Sequence, residues 1–149
     1  MQYRATRSTP PETARQSRHW LLLIGGLANL CFAAFHLTFP WLFGWGTDLA
    51  SLSATNRAIL YTAHVEMILL LTAFGIISIA CRHALVTTRL GRVVARTIAL
   101  FWLARAIAEI IFFGIGLDGS WWRLVLFVLI AETYVAEELA GGMVGGRAR

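Results

Sequence analysis

Apolar residues gather into four runs along this chain, parted by short polar or charged stretches. The first extends from His19 to Phe43. About 25 residues suffice for a helix to cross a hydrocarbon core of roughly 30 Å. A signal peptide has a shorter apolar stretch, about 7–15 residues, and a small-residue cleavage site. A polar segment, 44–55, leads to a second run, 56–81. The basic stretch Arg82 to Arg92 leads to a third, 93–116, and a fourth occupies 121–140. The turn Leu117-Asp118-Gly119-Ser120 is short, so the last two runs should be antiparallel neighbours. The pattern predicts an all-α membrane protein, a four-transmembrane-helix bundle with helices at 19–43, 56–81, 93–116 and 121–140. Residues 1–18 are polar and Arg-rich with two prolines, and read as a disordered tail. Residues 141–149 form a second tail.

Composition strengthens this picture. The chain of 149 residues is 58% hydrophobic and 14% charged. A soluble domain carries about 25% charged residues, and a chain this poor in charge could not cover its own surface. All thirteen basic residues are Arg. Four lie in the N-terminal tail, four between Arg82 and Arg96, and two in the C-terminal tail. The opposite side holds only Arg57 and Arg123. Basic residues stay on the cytoplasmic side of membrane loops, so both termini are expected in the cytoplasm, as in a multi-pass protein of a bacterial inner membrane. Trp41, Trp45, Trp121 and Trp122 fall at the outer interface and Trp20 at the inner one, as an aromatic belt requires. The basic stretches then read as membrane-surface charge. Nucleic-acid binding would need a basic patch with a recognisable motif, and none is present.

The candidate chemistry lies at membrane depth. At ~1.5 Å of rise per residue, His36, His64, Glu66, Arg105, Glu109 and Glu132 all fall between the outer third and the midplane. Seams at helical spacing carry several of them: Gly26-Asn29-Ala33-His36-Pro40, Ile98-Trp102-Arg105-Glu109-Phe112-Gly116, and Trp121-Val125-Val128-Glu132-Val135-Leu139. In the second helix, His64 shares a seam with Arg57, Tyr61, Ile68 and Gly75, whereas Glu66 lies on another face with Thr62 and Ala73. Three carboxylates against the one guanidinium of Arg105 would leave net negative charge in a low dielectric. Such a cluster should keep a glutamate protonated, or draw in a cation or cofactor.

Three readings follow. The first is an accessory or scaffold subunit of a larger membrane assembly, its helices joined by a buried His/Glu/Arg network with Asn29 in support. Its partners would be the lipid bilayer and other membrane subunits or further copies of itself. The second is a cofactor site in which His36 and His64, with Arg105, hold haem or a transition metal. The third is an acid/base enzyme acting on a lipophilic substrate, with Glu66, Glu109, Glu132 and His64 as candidate catalytic groups. Cys31 and Cys81 belong to no CxxC or Cys/His cluster and read as small buried fillers. Ser51 and Ser53 lack a His/Asp arrangement, and Gly25-Gly26 and Gly141-Gly142 lack the strand context of a phosphate loop.

Overall fold

The computed structural model describes the chain over residues 12–114 and 121–145, with side chains over 20–114 and 121–136. The described residues are helical, with no strand among them. Four long helices carry the architecture: α1 (Glu12–Leu37), α4 (Ala54–Ala80), α6 (Arg89–Phe113) and α7 (Trp121–Gly145). Shorter pieces join them: α2 (Phe39–Leu42), α3 (Trp45–Asp48), a 3₁₀ turn (Leu49–Ser51) and α5 (Arg82–Thr87).

The helix bounds differ from the sequence expectation where local chemistry intervenes. Helix α1 begins at Glu12, inside the expected tail, because Glu12–Arg18 holds good helix formers directly after two prolines. It stops at Leu37 rather than Phe43. Pro40 has no N–H to donate to the carbonyl of residue 36, and Gly44 then takes a left-handed φ of 57° between α2 and α3. The 82–92 stretch is largely helical too: α5 and α6 meet at Thr88, whose extended backbone lets its Oγ1 accept from Gly91 N at 2.8 Å. At the other end α7 runs on to Gly145, five residues past the expected end. The predicted turn 117–120, the last residues of the third run, and residues 1–11 and 146–149 lie outside the described residues.

Pairings along the helices give their directions. Gly26 packs on Gly75 and Ser78, and His36 meets His64, so α1 and α4 are antiparallel. Glu109 meets Arg123, and Trp102 meets Phe127, so α6 and α7 are antiparallel as well. Close approach of α1 depends on its glycines. A Cβ on Gly26 would sit 2.7 Å from Ile79 Cγ1, and one on Gly25 would sit 2.6 Å from Thr133 Oγ1. Small residues of this kind let helix backbones pack tightly.

The core is a stack of aromatic and aliphatic side chains: Leu22, Leu71, Ile98, Trp102, Phe127, Ile130 and Tyr134. Trp102 is its pivot, with Phe32, Phe101 and Phe127 at ring separations of 5.0, 5.6 and 5.5 Å. Outside this core many large apolar side chains of the described residues lie on the exterior. Trp41, Leu90, Leu100, Ile111 and Phe112 are each at least two-thirds exposed. Two segments, Trp20–Leu37 and Ala54–Ala80, are long and apolar enough to cross a membrane, and only 28% of the first and 17% of an apolar 18-residue stretch of the second are buried. An apolar core helix of a soluble protein would be mostly buried.

The face of α7 departs from expectation. Its packed stripe is Phe127, Ile130, Ala131 and Tyr134, not the predicted stripe through Val125 and Glu132, both of which are exposed. The cysteines differ as well: Cys31 and Cys81 are free and exposed rather than buried.

Candidate functional site

The predicted polar cluster divides into three parts. The first is a hydrogen-bonded knot that draws one residue from each long helix: Asn29, Ser78, Trp102 and Tyr134, all almost fully buried. Asn29 Nδ2 donates to Tyr134 Oη at 3.0 Å and to its own helix at Gly25 O, 2.7 Å. Trp102 Nε1 donates to Asn29 Oδ1 at 3.3 Å. Ser78 Oγ donates its one proton to Phe74 O at 2.7 Å. The 2.8 Å contact between Ser78 Oγ and Tyr134 Oη therefore has the tyrosine as donor. Asn29 was expected only as support; here it is the hub. Isolated hydroxyls within apolar runs gave no signal for Ser78 and Tyr134, and Trp102 stood out only as a member of its helical seam.

The second part is an ion triad between α6 and α7. Glu109 is buried, and both its oxygens face guanidinium groups. Arg123 Nε donates to Oε1 at 2.6 Å. Arg105 Nη1 lies 2.9 Å from Oε2, a charge contact one helical turn away without good hydrogen-bond alignment. The Arg105–Glu109 pairing matches the i, i+4 spacing. Arg123 is the surprise. Counted along the chain it belongs to the outer edge, yet the first turn of α7 lies beside Glu109. The imbalance expected of one shared cluster does not arise around Glu109, where cations outnumber carboxylates.

The third part is an aromatic cluster where α2 and α3 cap α1 and α4. The imidazoles of His36 and His64 are 5.9 Å apart and 30° from parallel. Phe39 lies 4.3 Å from the first and 5.6 Å from the second, and Trp45 meets His64 edge-on at 4.7 Å. His36 Nδ1 is 2.8 Å from Phe32 O. A carbonyl only accepts, so Nδ1 is the donor and the neutral ring keeps its lone pair on Nε2. His64 Nε2 is buried without a hydrogen-bond partner. Among the described residues, no group of three or more His, Cys, Asp or Glu is placed to hold a metal ion.

Two of the predicted residues join none of these parts. Glu66 and Glu132 are exposed. Helix α4 turns the His64 seam inward and the Glu66 seam outward. Glu66 ends a shallow groove on α4 lined by Thr55, Ala58, Ile59, Thr62 and Ala63. The candidate acid/base groups are thus dispersed: Glu109 between two arginines, His64 among aromatics, and Glu66 and Glu132 on the exterior.

Compared with models of protein families, with curated proteins and with solved structures, the chain matches none.

Proposed function

We propose that this chain is a multi-pass integral membrane protein, its four long helices all spanning, with both termini in the cytoplasm of a bacterial cell. In that setting it serves as a non-catalytic accessory subunit of a larger membrane assembly. Support for the spans comes from the exposed apolar exteriors of the helices and from the one-sided distribution of Arg. The accessory role is carried by one observation. The interior polar groups of the knot and the triad mostly bond to one another, whereas Glu66 and Glu132 stand on the exterior at membrane depth. A carboxylate facing lipid is costly. Another membrane chain offering a basic or hydrogen-bonding side chain at that depth removes the cost by covering it.

The test is assembly size. Solubilised in mild detergent, the wild-type chain is expected to migrate in native gels well above its 16.5 kDa mass. With E66L and E132L combined, it should run as a folded monomer. A monomeric wild type, or a complex untouched by the double substitution, sinks the proposal. Cross-linking then tells a foreign partner from a second copy.

A second reading keeps the outer cluster as a cofactor site, and the unpartnered His64 Nε2 favours it. His36 and His64 would supply two imidazoles for haem, although Phe39 lies against both rings and would have to move. Purified protein with a Soret band that is lost in H64A would establish this reading, and a spectrum without that band would end it.

A further inference from the structure

The ion triad holds two guanidinium groups and one carboxylate, and so one surplus positive charge. Each arginine commits one nitrogen to Glu109: Nη1 of Arg105 and Nε of Arg123. An arginine has five N–H donors. Among the described residues, the remaining nitrogens of both groups meet no acceptor. Phenyl rings cover their flat faces instead. Arg105 Cζ lies 4.8 Å from the Phe127 centroid, and Arg123 Cζ lies 5.6 Å from that of Phe113. Exposure is divided in the same sense. The Arg105 and Arg123 side chains are 33% and 36% exposed, against 4% for Glu109. The acceptor is shut in, and the unused donor edges lie on the open side.

Position narrows the choice of ligand. Arg123 is in the first turn of α7, directly after Trp121 and Trp122, both more than half exposed. Under the four-span reading, on which this inference rests, that turn lies at the outer interface, where lipid phosphates are found. Around it the exterior is apolar and aromatic, with Phe112 and Phe113 well exposed. Guanidinium forks match phosphate oxygens geometrically. Charge narrows the choice further. A phosphodiester carries one negative charge and would neutralise the triad, whereas a free phosphate approaches two at neutral pH.

We propose that Arg105, Glu109 and Arg123 form an anion site that takes the phosphodiester of an anionic lipid from the outer leaflet. Glu109 bridges the two guanidinium groups and offsets one of their two charges.

The experiment uses the full chain in phosphatidylcholine vesicles containing a minor fraction of phosphatidylglycerol. Lipid retained after detergent extraction is counted by native mass spectrometry. Wild type is expected to prefer phosphatidylglycerol about fivefold, the selectivity given by one charge at a membrane surface. R123Q should reduce that preference to near unity. E109Q, which doubles the surplus charge, should increase it. These opposite signs separate a lipid site from a general loss of packing. Equal retention of the two lipids by wild type, or an unchanged preference in R123Q, overturns the site. Displacement of phosphatidylglycerol by excess inorganic phosphate overturns the lipid assignment in favour of a free anion. Failure to pellet with membranes after a carbonate wash overturns the four-span reading itself, independently of these outcomes.

Discussion

Replacing Arg105 and Arg123 together by leucine is expected to destabilise the chain by about 3–5 kcal/mol, the cost of stranding a buried charge. Glu109 is the reason. Its carboxylate is buried, and its only cationic contacts among the described residues are those two guanidinium groups. Either single substitution should cost less, because each leaves one partner in place and each lost side chain is itself a third exposed. Adding E109L to the double variant should recover most of the loss. An apolar trio needs no desolvation of charge, and exchanging a buried ion network for packed apolar residues is often neutral or better. Reversible unfolding in mixed micelles, followed by SDS titration, measures the whole series. A double variant within about 1 kcal/mol of wild type would mean that the triad behaves like an exposed pair. A triple variant with no recovery would mean that the arginines act through packing, not charge.

N29L should be the most damaging single change in the hydrogen-bonded knot, at about 1–3 kcal/mol. Losing the amide removes the acceptor of Trp102 Nε1 and one partner of Tyr134 Oη. The indole N–H is then stranded without an acceptor in an aromatic core. Y134F should cost less, about 1 kcal/mol, because it removes two hydrogen bonds between helices at an average of about 0.6 kcal/mol each. After that change Asn29 Nδ2 still donates to Gly25 O and Ser78 Oγ still donates to Phe74 O. The order N29L above Y134F is the decisive part, and the same unfolding series reads it. Equal losses would mean that the knot is held by side-chain volume rather than by satisfied donors.

Amphipathic spacing was informative where a helix has a polar or small stripe to set against an apolar one. In α1, Gly26, Asn29, Ala33 and His36 give such contrast, and all four turn inward. In α6, Ile98, Trp102, Arg105 and Glu109 do the same, whereas Phe112, further along that stripe, is exposed. Helix α7 offered little contrast, because large apolar residues occur on every face of it. The assumption that Glu132 is buried selected the Val125 stripe, yet the volume of Phe127 and Tyr134 decides the packing. In α4, two polar seams competed, and spacing alone could not rank them. Contact with Gly26 settles the matter, since Gly75 and Ser78 must face α1 and carry His64 round with them.

The sequence by itself determined the four long helical runs, the exposed apolar character of the chain and the Arg105–Glu109 pair, because each depends on composition or on spacing within one helix. Only the tertiary structure decided that Arg123 completes the triad, that Asn29 joins Ser78, Trp102 and Tyr134, and that Glu66 and Glu132 lie outside. These features depend on which helices touch, at what height and with which face. Such relations are set by packing between segments far apart in the chain, and no periodicity within a single helix encodes them.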